Sequence, residues 1–369
     1  RFVLERFVIS IARILFSKNI PFCIYRFPNE QRISIALDKS LLESNNRKTF
    51  WFAPFITNNS YEDIFFDVLN DNEINESFLN FVKSLPQQKE IESNLPNATT
   101  KTQYFHRIQL FLEEIHKGNL DKAVLSRVIL EDKPQDFNPI DFFLKLAKDY
   151  PDTFVHFSQH PTSGIWIGAT PELLIKKQDN KFYIMALAGT QARHKVGLEY
   201  KWHSKEIEEH QMVNQHIEQV LKKYACAVID KKALQTVESA QVAHLKTDYI
   251  FEETKKIELA SLLKDLHPTP SIGGLPVKNG IDCILQHEGY NRKYYCGFIG
   301  ETNFSETTNL YINLRCLQVG KDHLAIYVGG GITAASNPDD EWKETILKSK
   351  TMSEKLQSNT IKLENGIVG

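Results

Sequence analysis

Gly329-Gly330-Gly331-Ile332-Thr333-Ala334-Ala335-Ser336-Asn337-Pro338-Asp339-Asp340-Glu341-Trp342-Lys343-Glu344-Thr345 carries this chain from a strand into a helix. The run His323 to Gly329 reads as the strand, and the three glycines as a loop whose bare N–H groups can converge on an anion, carboxylate or phosphate alike. No Gly-Lys-Ser/Thr follows, so this is not a Walker-type phosphate loop. Asn337 is a good N-cap and Pro338 suits the first helical position, which predicts a helix of about five turns. Glu341, Glu344 and Lys348 fall on one stripe of it. A carboxylate pair at this spacing is common on solvated faces, so taken alone it does not specify a metal.

The same arrangement recurs in Lys205-Glu206-Ile207-Glu208-Glu209-His210. There the apolar stripe Val213, Ile217 and Val220 continues back into Glu209 and Glu206, which points both carboxylates at a core or cleft. An exposed acidic patch paired with Lys205 and Lys201 fits Glu208 better. Four carboxylates facing one cleft repel one another unless they are protonated or neutralised by a cation. A hard, oxygen-seeking ion such as Mg²⁺, touching some of them and keeping several waters, satisfies that requirement.

Working outward, the chain alternates strands in hairpin-like runs with scattered helices. Strands are expected at Pro21 to Phe27, Ile33 to Leu37, Asp121 to Leu130, Thr153 to Ser158, Gly164 to Ala169, Glu172 to Lys177, Lys181 to Ala188, Val237 to Leu245, Asp248 to Phe251 and Leu310 to Gln318. Helices are expected at Gln103 to His116, Tyr200 to Tyr224 and Glu258 to Leu266. The pattern favours an α+β fold over regular βαβ repeats. The segment Pro86 to Thr102 is poorest in apolar residues and marks a surface boundary. Residues 1–100 are therefore read as an N-terminal strand and helix layer packed on a core of residues 101–369, within one structural domain.

The 369 residues are 42% hydrophobic and 24% charged, which excludes disordered, collagenous and coiled-coil classes. A net charge of -2 offers no general attraction to nucleic acid or to an anionic membrane, so a small-molecule partner is expected, and with no exposed apolar helix demanding a partner a monomer is the default. Five cysteines without Cys-x-x-Cys spacing read as free thiols in a reducing cytoplasm. Leu4, Val8, Ile11 and Leu15 keep helical spacing among charged residues, so the N-terminal apolar run reads as a packing helix rather than a targeting segment.

Several single residues invite chemistry. Arg315 is expected on a strand face with Tyr311 and Asn313, where it needs an anion; a ligand carboxylate and a structural ion pair both serve. Lys122 opens an apolar strand and is either an exposed edge lysine or a base activated by desolvation or a nearby ion. Glu172, against Leu173 and Leu174, is a carboxyl that burial can keep protonated near neutral pH.

Read in order, Lys122-Ala-Val-Leu-Ser-Arg127, Gly168-Ala-Thr-Pro-Glu172, Leu187-Ala-Gly-Thr190, Lys205-Glu-Ile-Glu-Glu-His210, His267-Pro-Thr-Pro270, Tyr295-Cys-Gly297, Asn313-Leu-Arg315, Gly329-Gly-Gly331 and Glu341-Trp-Lys-Glu-Thr345 closely resemble the motif series of the chorismate-utilising enzymes, over about Gln103 to Met352. The resemblance implies large antiparallel sheets wrapped by helices around a central cleft. It also implies Mg²⁺ held by Glu209 and Glu344 with Glu206 and Glu341, and chorismate as substrate. Lys122 and Glu172 would be the catalytic base and acid. Arg315, Tyr295, Gly330, Gly331 and Lys348 would bind the substrate carboxylates, with Gly189, Thr190 and His267 along the ring. Lysine at position 122 is typical of members that use water, and Ala188 replaces the nucleophilic lysine of aminodeoxychorismate synthases. Both point to the isochorismate synthase subgroup, an isomerase needing no glutaminase subunit, with menaquinone formation preferred to a catechol siderophore. Salicylate synthase is the nearest rival, anthranilate synthase is more distant, and a non-catalytic chorismate-binding protein is the reading from another class.

Overall fold

The computed structural model describes residues 2–42, 47–57, 60–194, 199–304 and 306–357. Within them seventeen strands join through hydrogen-bonded pairings, and the pairings are antiparallel. Eight α-helices cover the sheet, giving the expected α+β architecture. The first helix, Phe2–Ser17, buries Val8, Ile11, Ala12 and Leu15, the packing role its spacing implies. N-terminal strands enter the same sheet as the rest: Phe22–Arg26 pairs with Phe154–His160, and Thr49–Ala53 with Phe298–Thr302. The connection before Thr100 has no regular structure. Thr100 then begins the helix Lys101–His116 with a reciprocal cap to Gln103.

Two long strands lie at the centre, Lys122–Asp132 and His323–Thr333, paired over eleven positions from His323↔Asp132 to Thr333↔Lys122. The second strand therefore runs through the three glycines, where a loop was expected. Gly329, Gly330 and Gly331 stand opposite Ser126, Leu125 and Val124, and their extended backbone cannot form the anion-binding nest. Ser336 and Asn337 then turn the chain into the helix Pro338–Gln357. Asn337 Oδ1 accepts from the amides of Asp339 and Asp340 at 3.0 and 3.3 Å, as its cap position requires.

Two other expectations are corrected. Leu310 to Gln318 is not one strand: Thr308–Ile312 and Cys316–Val319 are separated by Asn313-Leu314-Arg315, and Arg315 has φ 47°. Asn313 still pairs through its backbone, its N–H donating to the Gly297 carbonyl at 2.8 Å and its carbonyl accepting from the Cys296 N–H at 2.9 Å, so the break falls at Leu314 and Arg315; the Asn313 side chain is held by His156 Nε2 at 2.9 Å and by the Tyr294 carbonyl at 2.9 Å. Val237 to Leu245 is likewise interrupted at Ala240 (φ 52°), which divides Gln235–Ser239 from a continuous Val242–Glu252. Among the described residues no helix is long and apolar enough to cross a membrane. All five cysteines are free.

Candidate active site

Beside the end of the two central strands lies a cleft lined by Glu172, Gly189, Thr190, Glu209, Tyr295, Arg315, Gly329, Gly330, Gly331 and Lys348, among others. Lys122 lies against the cleft residue Glu209, fully buried, with Nζ 2.8 Å from Glu209 Oε1. The pair is an ion contact; Nζ has no aligned hydrogen bond. Glu209 comes from the helix Ser204–Lys223, which is anchored by the buried stripe Val213, Ile217 and Val220. Burial raises the Glu209 pKa, but Lys122 outweighs it with help from Lys205 and Lys348, and the carboxylate titrates below its ordinary value.

The glycines are needed for space. A Cβ on Gly331 would lie 2.5 Å from Glu209 Oε1 and 2.9 Å from Lys122 Cε. One on Gly330 would lie 3.2 Å from Glu344 Oε1 and 3.3 Å from Glu341 Oε2. Neighbouring side-chain positions on a strand face opposite ways, so carboxylates from the two helices close on the bare strand from both sides. The ladder also decides which amides are free. Val124 N–H bonds the Gly273 carbonyl at 3.2 Å and Ser126 N–H bonds Glu288 at 2.7 Å, both away from the glycine strand. Their partners Gly331 and Gly329 therefore turn their polar groups outward, while Gly330 faces Leu125 within the ladder. Gly331 thus offers the outward amide, and the Gly330 amide expected to join it is engaged. The Gly329 carbonyl accepts from Lys348 Nζ at 2.9 Å.

Each carboxylate has its own lysine: Glu209 with Lys122, Glu344 with Lys348 at 2.6 Å, and Glu341 with Lys205 at 2.5 Å. Glu341 is 1% exposed, and its Oε2 is buried without a partner. Burial, then the nearby Glu344 charge, pushes its pKa up to about 7. Glu206 behaves differently from its expected role. Its Oε2 accepts the His203 amide at 3.0 Å as part of the helix cap, and it borders a side cavity shared with Glu341 and Glu344 rather than the main cleft. Glu208 is exposed.

Arg315 is 8% exposed and, among the described residues, is held by neutral groups. Nη1 donates to Thr351 Oγ1 at 3.1 Å and Nη2 to His244 Nε2 at 3.0 Å. His244 Nδ1 donates to the Gly189 carbonyl at 3.0 Å, which fixes the tautomer that leaves Nε2 as acceptor. Burial, then Arg315 and Lys348, holds His244 well below the usual imidazole range, so it is neutral. A buried cation with neutral partners, open to a cleft, is an anion site in waiting.

Across the cleft, Glu172 is 5% exposed and accepts from Ser271 Oγ at 3.0 Å. Burial raises its pKa to about 7 against the lowering effect of Ser271, Lys122, Lys348 and Arg315. The wall carrying both Lys122 and Ser271 is braced by Arg292, which pairs with Glu288 and donates to the carbonyls of Val124 and Ile272. His267 does not reach the cleft: its Nε2 donates to the Cys296 carbonyl at 2.8 Å, and burial lowers its pKa to about 4.

His244, Ser271 and the inward use of Lys205 were not singled out from sequence. His244 and Ser271 carry no spacing pattern, and Lys205 looks like an ordinary solvated neighbour of Glu208.

Comparison with known proteins agrees with this geometry. The profile of the family described as chorismate binding enzyme matches residues 25–357, reaching further toward the N-terminus than the motif series. Isochorismate synthase EntC of Escherichia coli (strain K12) is 25% identical over 277 residues, 73% of this chain and 68% of the relative. The vibriobactin-specific isochorismate synthase of Vibrio cholerae is 26% identical over 269 residues, 70% of this chain and 68% of the relative. The solved structure of MenF, the menaquinone-specific isochorismate synthase of Escherichia coli, gives a TM-score of 0.73 at 19% identity, over 91% of this chain and 88% of that one, a likeness of fold. Matched over most of its length and carrying a cleft lined by Glu172, Glu209, Tyr295, Arg315 and the glycine triplet, the chain belongs to the chorismate-binding enzyme family.

Proposed function

We propose that this protein converts chorismate reversibly to isochorismate, by addition of water at C2 and loss of the C4 hydroxyl. The observation that carries the proposal is Glu172, a cleft carboxyl raised to about 7, in the same site as the buried Lys122. Lys122 takes a proton from the attacking water. Glu172 gives its proton to the C4 hydroxyl, which leaves as water while the ring double bonds shift. One water enters and one departs, so the reaction balances as an isomerisation, and in reverse the two residues exchange roles. Arg315, the outward Gly331 amide and Lys348 bind the substrate carboxylates, with Tyr295, Gly189 and Thr190 along the ring. Water as nucleophile removes any need for a glutaminase subunit.

A hard dication fits beside these residues. Glu341 Oε2 is a buried oxygen lacking a partner, and Gly330 and Gly331 leave room for the carboxylates to approach. Among the described residues no three His, Cys, Asp or Glu groups form a protein-only metal cluster, which suits an ion that keeps waters and takes part of its shell from substrate. Glu209 and Glu344 would hold Mg²⁺, with Glu341 and Glu206 bound directly or through water. When bound, the ion supplies positive charge to the ring carboxylate. Purified protein incubated with chorismate and MgCl₂ should yield isochorismate alone by chromatography; salicylate with pyruvate, or no turnover, would refute the assignment.

A further inference from the structure

Lys205 does something that none of the proposed catalytic steps uses. It projects from the first turn of the Ser204–Lys223 helix to Glu341 on the Pro338–Gln357 helix, and is the direct bridge between these two carboxylate-bearing elements. Its Nζ lies 2.5 Å from Glu341 Oε1, and its side chain is about a quarter exposed against a nearly fully buried Glu341. Glu341 Oε2 meanwhile stays buried and unpartnered, an oxygen that one ammonium on Oε1 does not satisfy.

From this geometry we infer that Lys205 is a built-in competitor for the divalent cation: it neutralises Glu341 in the metal-free protein and must leave that carboxylate when the metal arrives. The inference rests on the metal reading given above. Two further features support it. The side cavity bordered by Lys205, Glu206, Asp340, Glu341 and Glu344 opens beside the bridge, so the side chain has somewhere to go and acidic groups to meet there. Glu209, Glu341 and Glu344 each already have a lysine and Arg315 adds a further cation to the main cleft, so an added dication leaves an excess of positive charge unless a cation moves away or an anion enters. Lys205 thereby keeps the empty site from collapsing or repelling itself apart, and it tunes metal affinity down to a level at which substrate carboxylates complete the site.

The test measures metal binding directly, without turnover. Mg²⁺ is titrated into the full chain by calorimetry, with Trp342 emission as a second readout because Trp342 lies between Glu341 and Glu344 in sequence. Lys205→Met, which keeps the stem and removes the charge, should bind Mg²⁺ about tenfold more tightly than the unaltered protein. Lys205→Arg, which keeps the charge, should not bind more tightly. Equal or weaker binding by a Lys205→Met protein whose thermal transition remains cooperative would overturn the inference. If that variant fails to fold, tighter binding by Lys205→Arg would overturn it. Absence of Mg²⁺ binding to the unaltered protein, with and without chorismate, would sink the metal reading itself.

Discussion

Lys122 Nζ lies 2.8 Å from Glu209 Oε1, so the proposed base and a proposed metal carboxylate form one buried pair. Removing either partner leaves the other unpaired, but the consequences differ. Lys122→Ala should lower kcat at least about 100-fold, the loss expected for a general base, with a smaller change in KM. Near-normal turnover by this variant would remove Lys122 from the chemistry.

Glu172 predicts a pH signature in both rate and stability. As the acid it must be protonated, so the forward rate should fall as pH rises through about 7. Its folded pKa is raised by burial above the unfolded value, so the native chain binds the proton more tightly. That stabilisation is full below the ordinary carboxyl value of 4.5 and is lost as pH rises through about 7. Glu172→Gln mimics the protonated carboxyl at every pH. It should be nearly inactive, yet melt higher than the unaltered protein at pH 8 and alike at pH 4.5. Melting curves at the two pH values check the sign.

Metal removal is the next test. EDTA should reduce turnover to background and Mg²⁺ should restore it, since Glu209, Glu341 and Glu344 supply only oxygen donors. Full activity after exhaustive chelation would show that the lysine partners alone neutralise these carboxylates.

Gly331→Ala and Gly330→Ala separate the two faces of the central strand. A methyl at 331 meets Glu209 Oε1 at 2.5 Å, closer than real contacts permit, whereas at 330 the nearest atom is Glu344 Oε1 at 3.2 Å. Gly331→Ala should therefore cost about 1–3 kcal/mol of stability and most of the activity, because Lys122 and Glu209 must shift. Gly330→Ala should be milder on both counts. Equal effects measured by denaturation and by initial rates would contradict the geometry.

Much of this site was legible because its chemistry is local in sequence. The spacing of Glu341, Glu344 and Lys348 on one helix, and of Glu209 on another, follows from the helical repeat. The same logic left a second use of Glu206 unseen: its Oε2 caps its own helix, a contact that spacing alone does not separate from an inward-facing ligand. The glycine triplet was read as a loop because glycine disfavours strands. Its need for glycine comes from carboxylates that approach from elsewhere in the fold, which no local pattern records. Arg315 reads as a strand residue for the complementary reason: apolar alternation continues through Leu314 and Cys316, while the break comes from the left-handed backbone at Arg315 (φ 47°), which that alternation does not record.

Arg315 supplies the last prediction, in which function and stability part company. Its guanidinium is buried against His244 and Thr351, and burial lowers its pKa, the mark of a charge the folded protein holds at a cost. Among the described residues its hydrogen-bond partners are neutral, whereas a bound carboxylate would repay that cost through a charge-assisted pair. Arg315→Met keeps the volume and removes the charge. Its KM for chorismate should rise about 100-fold or more, in line with the loss of one charged hydrogen-bonded contact, while its melting temperature should be no lower than that of the unaltered protein. A collapse of stability with unchanged KM would make Arg315 a structural residue and move the carboxylate site to Lys348 and the Gly331 amide.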